Sequence, residues 1–213
     1  WVLTHPHPDH IGAFNTLYPN LAAQGITVKR VYATDVNYDR YKKTAQDYDD
    51  FASCETFYKL KDSITNLKFL HENDKLELLP GLNMKVLHAW DKNVDALNDH
   101  LCNDGSLMFK IYGKKQTMLF CGDTQKEMEP FIYKAHLKEL KSDYVQCGHH
   151  GNWGLSTEFY DKVSPKLAFM DAPAWITGDG TGTYDGPVLK QHFLDGKIRV
   201  CELETAPNRI ILK

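Results

Sequence analysis

A chain of 213 residues with 42% hydrophobic and 25% charged residues has the size and balance of one ordinary soluble globular domain with a sizeable core. Its 25 basic and 28 acidic residues leave a net charge of −3, which excludes a global attraction to nucleic acid or anionic membrane but leaves room for a local basic groove. Five cysteines, none in a Cys-x-x-Cys pair, do not read as a disulfide framework, and no apolar run approaches the roughly 20 residues that span a bilayer.

Trp1-Val2-Leu3-Thr4 reads as the end of a buried strand, and a dense set of metal-binding residue types follows at once. The expectation is that a segment carrying the first strands of one sheet precedes residue 1. Any targeting sequence would lie on it, so the compartment, cytoplasmic or extracellular, stays open. Thr4-His5-Pro6-His7-Pro8-Asp9-His10 then brings three imidazoles and a carboxylate together. The prolines hold the segment extended. Alternate residues of an extended segment point the same way, so His5 and His7 can share one ion. Asp9 and His10, at the turn into a helix, can address a second. Imidazole and carboxylate suit zinc first, with manganese or iron as alternatives.

Residues 10–23 carry Ile11, Phe14, Leu17, Leu21 and Ala22 at helical spacing, and Gly25 stops the run. A strand is expected over 26–33. Residues 37–64, with Tyr41, Ala45, Tyr48, Ala52, Phe57, Leu60 and Ile64 on one face, read as one long or two short helices forming an amphipathic cover; a substrate-contacting lid is the alternative. From residue 67 the period becomes two, giving strands over 67–71, 75–79, 83–89, 106–112 and 116–121, with a turn at Gly113. A helix over 127–140, a strand over 144–147, a helix over 157–163 and a strand over 167–171 follow. Residues 173–187, with Gly178, Gly180, Gly182 and Gly186, read as a loop, then come a helix over 188–194 and strands over 198–202 and 209–212. Mixed strands and helices in one domain over 1–213 indicate α/β layers.

Two strand ends carry further ligand types. Phe120-Cys121-Gly122-Asp123-Thr124 places a carboxylate where it can bridge two cations, with Gly122 allowing close approach. Cys147-Gly148-His149-His150-Gly151 ends another strand on two imidazoles. Alone, the Gly-Asp reads first as a common turn, and the histidine pair is equally compatible with a turn bearing solvent-exposed imidazoles.

In this order, the three motifs resemble the metallo-β-lactamase superfamily, and more narrowly the hydrolase domain of the ComEC-type competence proteins and their stand-alone relatives. Asn73-Asp74-Lys75-Leu76 with Met84-Lys85-Val86-Leu87-His88 is similar to that group's strand pair, Asn103-Asp104-Gly105-Ser106-Leu107 to its Asn/Ser motif, and Cys121-Gly122-Asp123-Thr124 with Glu127 and Glu129 to its Gly-Asp motif. The resemblance covers most of the chain. It implies a four-layer αββα sandwich and phosphodiester chemistry, possible substrates being small-molecule or nucleic-acid esters. Two departures stand out. The competence domains carry an aspartate where this chain has His7. No Gly-His-x-x-Gly-Ser pattern supplies the third ligand of the first site, for which His100, Cys102, Asn103 and Asp104 are the nearby candidates.

The expected function is hydrolysis by a hydroxide held between two divalent ions bound by His5, His7, Asp9, His10, Asp123 and the His149/His150 pair. Asp9 is also the expected proton acceptor. Asn103, Ser106 and Ser156 are candidate substrate contacts, with an N-cap as the other reading of Ser156. A lactone, thioester or β-lactam hydrolase of the same fold, or a non-catalytic metal-binding relative, are the competing readings. The oligomeric state cannot be read from the sequence.

Overall fold

Residues 1–178, 181–203 and 209–212 are described by the computed structural model. Three short parallel strands, β1 (Val2–Leu3), β2 (Val31–Thr34) and β3 (Leu67–Leu70), form one sheet in that order. The second sheet holds β4 (Lys75–Leu79), β5 (Leu82–His88), β6 (Met108–Tyr112), β7 (Thr117–Phe120), β8 (Tyr144–Gln146), β9 (Leu167–Met170) and β10 (Arg199–Glu202), neighbours in sequence being neighbours in space. β4 to β7 pair antiparallel and β7 to β10 parallel. The helices are α1 (Pro8–Leu21), α2 (Tyr38–Thr44), α3 (Phe51–Leu60), α4 (Lys92–Asp95), α5 (Leu101–Asp104), α6 (Glu129–His136), α7 (Thr157–Val163), α8 (Ala174–Thr177) and α9 (Gly186–Asp195).

The two-residue period of the strands separates the core into layers. Tyr32 and Leu70 of the small sheet meet Met84, Val86, Phe109 and Ile111 of the large one in a single buried cluster. On the other side of the small sheet, Leu3, Val31 and Ala33 pack with Ile11 and Phe14 of α1 and Phe57 of α3. On the other side of the large sheet, Met108, Leu119, Val145 and Ala168 pack with Ile132 of α6, Phe159 and Val163 of α7 and Phe193 of α9. The order of layers is therefore α, β, β, α, as the resemblance implied. No helix among the described residues is long and apolar enough to cross a membrane.

Several elements differ from their sequence expectation. The strand expected over 26–33 starts only at Val31, where pairing to Leu67 of β3 begins. Residues 37–64 form two helices, broken by a turn at Asp47–Asp49 and by Asp50 in a left-handed conformation (φ 43°). The helix expected over 127–140 is α6, flanked by short 3-10 turns. The loop expected over 173–187 contains α8 and the start of α9, entered through Pro173 and Pro187; Gly180 lies outside the described residues. No strand forms over 209–212, where Leu212 instead packs against the inter-sheet cluster.

β1, β7 and β8 end at the same rim of the sandwich. There the Leu107 N–H, just ahead of β6, donates to the Thr4 carbonyl (2.9 Å) and ties the two sheets together. In layered α/β structures such carboxyl ends of strands are where ligands collect.

Candidate metal centre

Beyond β1 the chain stays extended only as far as His7. Pro8 is already the first residue of α1, a position where the missing proline N–H has no partner to lose. The His7 carbonyl accepts from the His10 and Ile11 N–H groups (3.0 and 2.9 Å) and closes the first helical turn. Pro8 thus starts the helix, where the sequence suggested an extended segment, and that turn brings Asp9 and His10 around beside His5.

The four imidazoles are oriented ring by ring. The Thr4 hydroxyl oxygen lies 3.2 Å from His5 Nδ1 and 3.3 Å from His10 Nδ1, and its two lone pairs can receive both N–H groups. Both rings therefore turn Nε2 toward Asp123, at 3.7 Å for His5 and 3.3 Å for His10. His150 Nδ1 lies 3.1 Å from the Asp171 carbonyl, and its Nε2 is 3.2 Å from Asp9 Oδ2 and 3.5 Å from Asp123 Oδ2. His7 is the reverse case: its Nε2 meets Asp49 Oδ1 at 3.1 Å and its Nδ1 sits 3.2 Å from His5 Nε2.

Asp123 is held at the centre by its own backbone. It is 2% exposed, and its N–H donates to the fully buried Ser106 hydroxyl (3.1 Å). That occupies the hydroxyl which the sequence suggested for substrate. Gly122 before it has φ 54°, and a Cβ there would lie 2.8 Å from Ser106 Cβ. Gly122→Ala is therefore expected to cost about 2–4 kcal/mol of stability, from left-handed strain and overpacking together; a denaturant midpoint equal to wild type would contradict this.

The last motif projects both imidazoles by adopting left-handed conformations at His149 (φ 48°) and His150 (φ 60°), strain of the kind that collects at functional sites. The two side chains diverge. His150 joins Asp9, His10 and Asp123, with its Nε2 3.3 Å from His10 Nε2. His149 instead places Nε2 3.4 Å from Asn103 Nδ2 and Nδ1 3.4 Å from Gln125 Nε2.

Of the four candidates for a missing ligand, Asn103 is the one in contact with a histidine of the motifs. It is 5% exposed, and its Oδ1 is buried without a hydrogen-bond partner. Cys102 is wholly buried in the core, and burial pushes its thiol well above the ordinary range, away from the thiolate a metal needs. Asp104 accepts from the Gln125 N–H (3.0 Å), and burial raises its carboxyl to about 7. His100 stacks on Tyr48 at the surface. Ser156 is the N-cap of α7, accepting from the Phe159 N–H (3.2 Å) and donating to Glu129 (2.9 Å), which occupies its hydroxyl.

Charge concentrates where the ligands converge. Burial opposes ionisation of Asp123, yet His5, His10 and His150 hold its carboxyl far below the usual range. Burial, together with the neighbouring His10, pushes His5 well down. Burial also opposes the charge on His150, but the contacts with Asp9, Asp123 and Asp171 raise it to about 9. Two overlapping sets, His5–His10–Asp123 and Asp9–His10–His150, bring their donor atoms within 4.8 Å of one another. Asp123 Oδ1, 3.3 Å from His10 Nε2, is buried without a hydrogen bond. Nitrogens facing nitrogens across 3.2–3.3 Å beside an unsatisfied carboxylate oxygen fit a cation between them.

The sequence missed Thr4 as an orienting group and Asp49 altogether. Asp49 is one of several aspartates between residues 35 and 50, with no local pattern to single it out.

The chain superposes on YhfI, a metallo-β-lactamase fold protein from Bacillus subtilis, over 94% of this chain and 72% of that one, with a TM-score of 0.52 at 12% identity. The chain has the metallo-β-lactamase fold. CmlA, a diiron β-hydroxylase from Streptomyces venezuelae, matches at a TM-score of 0.58 and 14% identity over 94% of this chain, which spans 42% of that protein's length. Yeast PDE1 matches at 0.50 and 14% identity, over 94% of this chain and 65% of the other. No protein-family model and no curated protein matches the sequence. The metallo-β-lactamase fold accounts for the rim position of the three motifs; at these identities chemistry has to be argued from the site itself.

Proposed function

We propose that the chain is a metal-dependent hydrolase with two divalent cations. The observation that carries the proposal is the convergence of the Nε2 atoms of His5, His10 and His150 on the buried Asp123 carboxylate, at 3.3–3.7 Å, with Asp9 Oδ2 3.2 Å from His150 Nε2. His5 Nε2, His7 Nδ1 and Asp123 would hold one ion; Asp9, His10 and His150 would hold the other, with Asp123 shared. Such ions lower the pKa of water between them toward neutrality and stabilise negative charge on the attacked centre.

The chain's own residues supply the rest. Asp9, whose side chain is 59% exposed, faces the solvent side of the cluster. Its carboxyl lies below the ordinary carboxylate range, chiefly through the contact with His150, and as a carboxylate it can orient a water molecule and accept its proton. Asn103, whose amide Nδ2 lies 3.4 Å from His149 Nε2, would orient a water or a substrate oxygen through its N–H₂ group. The substrate class we infer is a phosphodiester, supported by the likeness of the Asn/Ser, Gly-Asp and Gly-His-His-Gly motifs to the ComEC-type hydrolase domain. Zinc is the ion that this donor set favours, with manganese and iron next.

The test is hydrolysis of bis-p-nitrophenyl phosphate, a lactone and a β-lactam, each with zinc or manganese supplied. Turnover of the phosphodiester that a chelator abolishes is expected. Turnover of the lactone or lactam alone would overturn the substrate class, and no turnover of any ester by protein carrying two ions would overturn the hydrolase.

A further inference from the structure

The His7 ring has one nitrogen occupied from outside the three motifs. Its partner, Asp49, lies 42 residues away, in the turn between α2 and α3 that covers the rim, and is 3% exposed. Both carboxylate oxygens of Asp49 have partners: Oδ2 accepts from the Gln46 N–H (2.6 Å) and Oδ1 faces His7 Nε2 (3.1 Å). A buried carboxylate left without a donor is costly, so each contact matters to the other partner. Oδ2 anchors the carboxylate to its own turn, and Oδ1 reaches across to the ring.

We propose that Asp49 is a positioning residue for His7, holding its Nε2–H and thereby presenting the Nδ1 lone pair to the first ion. The inference rests on the two-cation reading above and adds to it a functional link between the helical cover and the metal centre. Thr4 fixes His5 and His10, and the Asp171 carbonyl fixes His150, in the opposite sense, with Nε2 inward. His7 is thus the ring of the four that needs an acceptor on its Nε2 side, and a carboxylate is the strongest acceptor there. Partners of this kind fix the tautomer and raise the basicity of a ligand, and their loss weakens metal binding by roughly 10–100-fold.

The experiment is zinc competition against a chromophoric chelator for the full chain, Asp49→Ala, Asp49→Asn and Tyr48→Phe. Tyr48→Phe perturbs the same turn through the hydroxyl that donates to Asp99, with no contact to His7. Expected are two ions in wild type and in Tyr48→Phe. In Asp49→Ala one ion should bind about 10–100-fold more weakly, with the other within about twofold, and Asp49→Asn should lie between. Long-range nitrogen–proton NMR of His7 in metal-free protein gives a second readout: Nε2–H in wild type, a mixture of tautomers in Asp49→Ala. Wild-type affinity for both ions in Asp49→Ala, equal weakening in Tyr48→Phe, or an unchanged His7 tautomer overturns the role of Asp49 while leaving the two-cation reading intact. A wild-type chain that binds no ion overturns both.

Discussion

Asp123→Asn is expected to abolish hydrolysis and to reduce bound metal from two ions per chain to at most one. Among the described residues, Asp123 is the one carboxylate within reach of His5, His10 and His150 together. It is buried, with one oxygen lacking a hydrogen bond, so an ion can be its partner without displacing another contact. Asparagine nearly preserves the shape but removes the charge and turns an N–H₂ group toward three imidazoles. The loss in activity should exceed the 10–100-fold that follows from disturbing groups behind the ligands. Metal analysis after dialysis, beside turnover of the phosphodiester, checks it; two tightly held ions in Asp123→Asn would contradict the shared position of this carboxylate.

A second large effect should appear in the pH dependence of metal uptake. Without an ion, burial works against a charge on His150, but Asp9, Asp123 and Asp171 raise it to about 9, and Asp123 and Asp9 raise His10 against the same burial. An ion needs the lone pairs those protons occupy, so binding releases protons. Each proton released makes affinity rise about tenfold per pH unit, up to a plateau near the metal-free pKa. Affinity should therefore climb from pH 6 to about pH 9 and then flatten. The metal-free protein should behave oppositely. A histidine raised in the folded state stabilises fully below its unfolded value near 6.5 and loses that contribution as pH rises through about 9. Calorimetry in buffers of different ionisation enthalpy measures the released protons, and Asp9→Asn should lower their number. A pH-independent affinity between 6 and 9 would contradict the arrangement of His150 against Asp9.

The parts legible in the sequence are those encoded locally. His5, His7, Asp9 and His10 stand out because four ligand types fall within one short segment, and the Gly-Asp and Gly-His-His-Gly motifs because each ends an apolar strand. The faces of the small sheet are less legible: Val31, Tyr32 and Ala33 are all apolar and buried, and only the packing sends Tyr32 to the inter-sheet cluster and Val31 and Ala33 toward α1. What could not be read depends on distance along the chain. Asp49 reaches His7 through the packing of a turn whose sequence resembles its acidic surroundings. His149 and His150 are adjacent and chemically identical; only their left-handed backbone sends one toward Asp9 and the other toward Asn103. Ser106 and Ser156 carry hydroxyls that a sequence offers freely, and the fold occupies both, one on the Asp123 N–H and one on a helix cap. The strand expected over 26–33 is shortened for the same reason, because pairing starts where β3 begins and not where residue type changes.

Anomalous scattering from crystals grown with zinc or manganese tests the two-cation centre most directly. Two peaks are expected, one beside His5 and His7 and one beside Asp9, His10 and His150, with Asp123 reaching both. A single peak away from Asp123, or none at this rim, would contradict it.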